Sequence, residues 1–418
     1  MTTSVTVVIP NWNGEAFLPA VLSSLAAQVN DGLQVDVLVV DNGSTDRSRD
    51  IVESWVPSTG LVALESNLGF AEACNRGARE SSATYIAFLN NDARVDHAWL
   101  VELARFLDGN PDAAVAGSLV LDWDGRTVDF AGSGLSGLAR GIQLDFGKPR
   151  SAAPQEPTRQ LFVNGAAMLV RREVFLDAGG FDPRFFAYYE DVDLGWRMWV
   201  KGWDVVLVPS SVVYHRHHGT GVRLRRDQVE LLLTRNALMT VVKNLGDSRL
   251  SAYLPILLLA EADRLRTMSN VDAANHRPPG VDSLALSARV NRPERHQRAR
   301  GLRQLLAGLY RRDLVVRENL ARAIARTLAP RAAVMSTRAA AIASALTDLL
   351  DAWPELMSER ARIQATRRRT DDEILPLFRL EEQRRKPRSD RLLANDTLAA
   401  VIRAMEAAAL GDMTPSGR

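Results

Sequence analysis

Hydrophobic positions fall into two regimes along this 418-residue chain. In the first half, short apolar runs rich in β-branched residues alternate with stretches whose apolar positions recur every three or four residues. Strands are expected at 5–9 (closed by Pro10), 35–40, 61–64 and 84–89. Helices are expected at 17–28, 70–80 and 46–55, the last capped by Ser44 and Thr45. This alternation predicts an α/β fold, a mainly parallel sheet covered on both faces. Further on, helices are expected at 98–107, 172–178 and 190–201, and strands at 113–121, 162–170, 205–208 and 212–214. Residues 122–160, rich in Gly, Ser, Pro and Asp, read as an excursion of hairpins and loop. From Asp227 the pattern is helical throughout, with breaks at Pro278-Pro279-Gly280, Pro330, Pro354 and Pro376. The chain therefore divides into an α/β domain, 1–250, and an all-α, Arg/Ala/Leu-rich region, 251–418.

Charge sharpens that division. Residues 1–260 carry 23 Lys and Arg against 30 Asp and Glu, a net −7, whereas residues 261–418 carry 29 against 20, a net +9. Basic helices with apolar faces such as Leu302, Leu305, Leu306 and Leu309 point to docking on an anionic membrane surface, to a partner or to oligomerisation, with a solvated bundle as the plain alternative. The one cysteine, Cys74, excludes an internal disulfide framework and fits a reducing compartment. No signal peptide is visible at the start. The best apolar run, 253–260, is too short to span a bilayer and contains Pro255. The expected location is the cytoplasm, with peripheral contact at the inner face of the cell membrane.

Candidate chemistry lies where strands end. In open α/β sheets, ligands bind outside the carboxyl ends of the strands. The strand at 84–89 runs into Asn90-Asn91-Asp92, and a carboxylate there suits a hard divalent cation shared with substrate phosphates. The first two strands end in Pro10-Asn11-Trp12-Asn13 and Asp41-Asn42-Gly43-Ser44. Asp41 can accept the N3–H of a pyrimidine, and Asn11 and Asn13 can bond base or ribose; taken singly, each end also reads as turn chemistry. Asn67-Leu68-Gly69 leads into a helix whose first N–H groups face an anion. Gly132-Ser133-Gly134-Leu135-Ser136-Gly137 matches a dinucleotide fingerprint by letters only, because no strong helix follows it. Tyr188-Tyr189-Glu190-Asp191-Val192-Asp193 sets three carboxylates at a helix start, more than complementing the helix dipole explains. His215, His217 and His218 cluster after a strand, and Arg216, Arg223, Arg225 and Arg226 could hold a diphosphate.

Five motifs in chain order, Pro10-Asn11-Trp12-Asn13, Asp41-Asn42-Gly43-Ser44, Asn67-Leu68-Gly69-Phe70, Asn90-Asn91-Asp92, and Glu190-Asp191 followed by His215, resemble family 2 glycosyltransferases of the GT-A fold, in particular the rhamnosyl- and galactofuranosyltransferase-like branch, over about residues 5–246. The resemblance implies that Asp41 reads a uracil or thymine base, with Pro10, Asn11, Asn13, Asn67 and Gly69 lining the donor pocket. It implies that Asn90, Asn91 and Asp92 occupy the place of an Asp-x-Asp motif. Asp92 and His215 would then be protein ligands of Mn²⁺ or Mg²⁺, Asp191 the general base, and Tyr189, Glu190 and Trp196 acceptor contacts. Asn90 stands where the full motif has a first carboxylate. The implied reaction transfers one sugar (first choice rhamnose from dTDP-rhamnose) from a nucleoside-diphosphate donor to a hydroxyl of a glycan or lipid-linked acceptor, with inversion. Nucleic acid is not an expected partner. Two other classes compete. A nucleotidyltransferase needs a Gly- and Arg/Lys-rich first loop, which Asn11-Trp12-Asn13-Gly14-Glu15 is not. A non-catalytic glycan-binding scaffold has only Asn90 in its favour.

Overall fold

A computed structural model describes residues 3–55, 59–216, 224–269 and 335–379. The strands in chain order are β1 Ser4–Asn11, β2 Gln34–Asp41, β3 Thr59–Ala63, β4 Tyr85–Leu89, β5 Ala93–Val95, β6 Ala113–Asp122, β7 Val128–Phe130, β8 Ser133–Leu135, β9 Gly141–Gln143, β10 Thr158–Arg159, β11 Ala167–Arg171 and β12 Asp204–His215. The helices are α1 Leu18–Ala26, α2 Ser48–Ser54, α3 Phe70–Glu80, α4 Trp99–Gly109, α5 Arg172–Asp177, α6 Glu190–Val200, α7 Arg226–Asn244, α8 Asp247–Met268, α9 Thr337–Asp351, α10 Trp353–Ala365 and α11 Asp371–Ile374. The main sheet runs β10-β12-β6-β11-β4-β1-β2-β3, with β5 on β12 and β7 on β6. β4, β1 and β2 are adjacent and parallel, so their carboxyl ends open side by side. Every residue of β4 is buried, as expected for a strand covered on both faces. On one face α3 lies close: a Cβ on Gly77 would come within 2.4 Å of a Val8 methyl, so only glycine permits that approach. Beneath β4, the rings of Phe88, Phe175 and Phe181 meet with centroids 5.1–5.2 Å apart.

The elements depart from the sequence reading where tertiary partners decide. The strand expected at 162–170 is confined to Ala167–Arg171, because residues 162–166 turn away to meet α6. The two strands expected at 205–208 and 212–214 are one strand, β12, whose register against β6 shifts between Val208 and Val212. Ser44 and Thr45 do not cap α2; the Ser48 N–H is met by the Asp46 carboxylate at 3.0 Å. The helical pattern does break at Pro354: α9 ends at Asp351, and Pro354 sits in the first turn of α10, a place where its missing N–H costs nothing. Pro278, Pro279, Gly280, Pro330 and the apolar face at Leu302–Leu309 lie outside the described residues.

Residue 250 falls inside α8, so the expected boundary at 250/251 does not coincide with a break, and the described C-terminal helices share the core of the sheet. Trp196 of α6 meets Phe378 edge-on at 4.9 Å. Arg360 of α10 donates to the Val242 and Leu245 carbonyls, which α7 leaves without helical partners at its end. Between α6, α7 and α10 lies a buried ion cluster. Lys243 Nζ is 2.8 Å from Asp182, 2.9 Å from Asp193 and 3.0 Å from Glu359, and Arg197 donates to Asp193 at 2.9 Å. Among the described residues no helix is long and apolar enough to cross a membrane.

Removing one partner of a buried ion group leaves the others uncompensated, at about 3–5 kcal/mol. Lys243→Met is therefore expected to lower the free energy of unfolding by that amount, read from urea melts. An unchanged midpoint would show that the cluster contributes nothing to stability.

Candidate active site

The ends of β1, β2 and β4 are tied by a chain of side-chain hydrogen bonds. Asn91 Nδ2 donates to Asn11 Oδ1 at 2.7 Å, and Asn11 Nδ2 donates to Asp41 Oδ1 at 3.2 Å. Asp41 Oδ2 accepts from Ser44 N–H at 3.1 Å and from Arg49 Nε at 2.7 Å. Three partners leave about one of its roughly four lone-pair positions for a ligand. Pro10 closes the same strand end, and Asn13, at φ 52°, accepts from Thr45 N–H at 2.7 Å. Asn67 and Gly69 are held by Asn42, whose amide donates to Asn67 Oδ1 and to the Gly69 carbonyl, each at 3.0 Å. Gly69 has φ 91°, and a Cβ there would come within 2.5 Å of the Phe186 carbonyl oxygen. The donor loop thus packs directly on the turn that leads to α6.

That turn is backbone-strained. Phe186, Tyr188 and Tyr189 all have positive φ, between 61° and 71°, which costs a bulky residue free energy and clusters at functional sites. Asn236 of α7, fully buried, directs its amide to the carbonyls of Phe185, Ala187 and Tyr188 at 2.7–3.0 Å. The turn delivers Glu190 and Asp191 to the first positions of α6.

The segment 164–166 joins the carboxylates to the end of β4. The Ala166 carbonyl accepts from Asn90 N–H at 2.9 Å, and Gly165 N–H donates to Asp191 Oδ2 at 3.1 Å. Asp191 Oδ1 also accepts from Val192 N–H at 2.8 Å. Burial pushes both carboxyls up, Glu190 to about 8 with the neighbouring Asp191 charge adding to it. Asp191 has backbone donors for its charge, whereas among the described residues Glu190 Oε2 has no hydrogen-bond partner. The shared charge therefore resides on Asp191, and Glu190 holds the proton.

Asp92 and His215 also meet, although β4 and β12 are far apart in sequence. His215 Nε2 lies 3.2 Å from Asp92 Oδ1, and Nδ1 lies 2.9 Å from Asp129 Oδ2. Asn90 Nδ2 is 3.4 Å from the same Nε2. Burial opposes the ring's charge, but the two carboxylates outweigh it and hold its pKa at about 9. The donor set fits a divalent ion: neighbouring ligands of an octahedral ion at about 2.1 Å are themselves about 3.0 Å apart. Among the described residues no group of three or more such side chains could hold a metal, so substrate oxygens and water would complete the shell.

Two acceptor contacts are corrected. Trp196 is 1% exposed and faces Phe378, not the site. Tyr189 is buried; its hydroxyl donates to the Ala139 carbonyl and accepts from Gly141 N–H, each at 2.9 Å, pinning the β8–β9 hairpin. Of the basic residues expected at a diphosphate, Arg216 stacks 4.2 Å from the Trp123 ring and Arg225 pairs with Asp227 at 3.1 Å. Arg226 opens α7, while His217, His218 and Arg223 lie outside the described residues. Sequence reasoning missed Arg49, Gly165, Asp129 and Asn236, and took Asn42 and Ser44 only as members of the motif that ends β2. Only Asn236, a polar residue between apolar helix positions, carried a signal.

The sequence model described as "Glycosyl transferase family 2" matches residues 6–177. An N-acetylglucosaminyl-diphospho-decaprenol L-rhamnosyltransferase of Mycobacterium tuberculosis is 31% identical over 244 residues, covering 53% of this chain and 79% of that protein. This chain belongs to glycosyl transferase family 2. The O-antigen biosynthesis protein RfbC of Myxococcus xanthus is 31% identical over 230 residues, covering 51% of this chain and 17% of that protein. A crystal structure of GalNAc-T7 with UDP, GalNAc and Mn²⁺ superposes with TM-score 0.51 at 16% identity, covering 66% of this chain and 53% of that one. That likeness speaks to the fold, which is GT-A. The protein is a glycosyltransferase, and these relatives favour neither the nucleotidyltransferase nor the non-catalytic scaffold.

The carboxylate pair carries a pH signature. Glu190, near 4.3 in an unfolded chain, is raised to about 8 in the fold. A raised carboxyl binds its proton more tightly when folded, so its contribution to stability is full below about 4.3 and is lost as pH rises to about 8. Glu190→Gln, fixed in the neutral form, should flatten the fall in urea midpoint across that window. A variant with the wild-type slope would place the proton elsewhere.

Proposed function

We propose that this glycosyltransferase moves L-rhamnose from dTDP-rhamnose to a hydroxyl of a lipid-linked glycan and inverts the anomeric carbon. The observation that carries this reading is that segment 164–166 joins the β4 end to Asp191. Transfer needs leaving group and base within reach of one carbon. The sugar and acceptor class follow from the Mycobacterium tuberculosis relative, whose name specifies rhamnosyl transfer to N-acetylglucosaminyl-diphospho-decaprenol.

In this reading Asp41 accepts from the thymine, and Pro10, Asn11, Asn13, Asn67 and Gly69 shape the nucleoside pocket. Asn90 and Asn91 face the diphosphate. Asp191 takes the acceptor hydroxyl proton as its oxygen attacks the anomeric carbon. The bond from that carbon to the diphosphate breaks with its electron pair leaving on the phosphate, so configuration inverts. Mn²⁺ or Mg²⁺ held by Asp92 and His215 would supply positive charge to the diphosphate oxygens. Glu190, protonated, can donate a hydrogen bond to the acceptor.

The testing experiment is radiolabelled rhamnose transfer from dTDP-rhamnose to a GlcNAc-diphospho-polyprenol. Asp191→Asn should lose about 10²–10⁴ in kcat and keep donor affinity by calorimetry. Wild-type turnover in that variant removes Asp191 as the base.

The net +9 of residues 261–418 supports docking on an anionic membrane surface that presents the acceptor, with self-association as the alternative use of these helices. The full chain should sediment with anionic but not neutral vesicles, and less so at high salt. A chain that stays in the supernatant with anionic vesicles at low salt has no such docking.

A further inference from the structure

The 122–160 excursion places one carboxylate in the site, and it does so through an irregularity of the sheet. In the antiparallel β6–β7 pair, Phe130 opposes Val120, but Val128 opposes Leu121. Two steps along β7 thus match one along β6, and Asp129 is the extra residue of a β-bulge. Bulges of this kind re-aim a side chain and recur beside active sites. Val128 and Phe130, each 1% exposed, bury their side chains in apolar surroundings. Asp129, 4% exposed, points instead at His215, its Oδ2 lying 2.9 Å from Nδ1.

We propose that Asp129 is a positioning residue that fixes the ring of His215 so that Nε2 faces Asp92 and the divalent ion the two would hold. This rests on the metal reading given above. An imidazole that binds an ion through one nitrogen keeps its proton on the other, and the partner of that N–H sets tautomer and orientation. A carboxylate accepting from Nδ1–H keeps Nε2 turned toward Asp92, 3.2 Å away, where a divalent ion would take the place of the Nε2 proton. A ring rotated about its Cβ–Cγ bond would give up both contacts at once. Such second partners of a ligating histidine are worth about 10–100-fold in metal affinity.

The test is Mn²⁺ binding to the full chain, read as the loss of the free-ion signal in electron paramagnetic resonance, with no sugar donor present. Wild type, Asp129→Ala, Asp129→Asn and His215→Ala are compared, and the metal-free unfolding midpoint of each is measured beside it. Asp129→Ala should bind Mn²⁺ about 10–100-fold more weakly. Asp129→Asn keeps an acceptor for Nδ1–H but loses the charge, and should fall about tenfold, at the low end of that range. The Asn variant carries the test if the Ala variant does not fold. If both variants keep wild-type Mn²⁺ affinity, even with a shifted midpoint, Asp129 only packs and the proposal is overturned. If wild type binds no Mn²⁺, or His215→Ala binds as well as wild type, the metal reading itself fails and takes this inference with it.

Discussion

The buried charge of Asp193 fixes the helix that presents Asp191. It has no exposure to solvent, and an isolated carboxylate there would be prohibitively costly. Lys243 and Arg197 neutralise one oxygen, and Asn244 donates to the other at 2.9 Å. These partners set both the rotation and the depth of α6. Residues two apart on a helix point to nearly opposite sides. With Asp193 locked toward α7, Asp191 is turned toward Gly165 and the end of β4. Two of the three carboxylates that crowd this helix start in the sequence thus have different tasks: Asp193 anchors, and Asp191 is presented to the site.

The described C-terminal helices therefore support the α/β half by packing on it. The turn 186–189 holds three bulky residues at positive φ, each costing on the order of 1–3 kcal/mol. Such a turn persists only where its surroundings over-determine it. Asn236 of α7 supplies three carbonyl contacts, and α7 is in turn closed at its end by Arg360 of α10. Truncating the chain near residue 250 would leave Asn236 in place but remove Arg360, and with it the closure of the helix that carries Asn236.

The donor half was largely legible in the sequence, and the reason is local. Apolar β-branched runs ending abruptly in Asn, Asp or Gly mark both the strand and the point where it ends, as at Asn11, Asp41 and Asn90. The catalytic half was legible only in part. Phe162 and Val163 suit a strand and Asn164-Gly165 a turn, but that the Gly165 N–H is taken by Asp191 is invisible without the fold. Trp196 and Tyr189 sit beside the carboxylates in sequence, yet helical geometry turns Trp196 to Phe378, and the Tyr189 hydroxyl is taken by the β8–β9 hairpin. Asp129 lies in a stretch of loop-like composition, and only the register slip of β7 gives it a direction.

The two halves of the site also differ in what holds them. At the nucleoside end, Asn11, Asp41 and Ser44 are joined by neutral and charge-assisted hydrogen bonds that satisfy one another without a ligand. A network of that kind is rigid before the donor arrives, so little ordering is left for binding to accomplish. At the Asp191 end, Glu190 and Asp191 share one charge in a desolvated position, and among the described residues Glu190 Oε2 lacks a partner. That arrangement carries a desolvation cost. An acceptor hydroxyl that reached these carboxylates would satisfy a buried polar group already in place, an interaction worth more there than in water. Gly69 against Phe186 connects the two ends, so the loop at Asn67 and the turn that leads to Asp191 pack directly on each other.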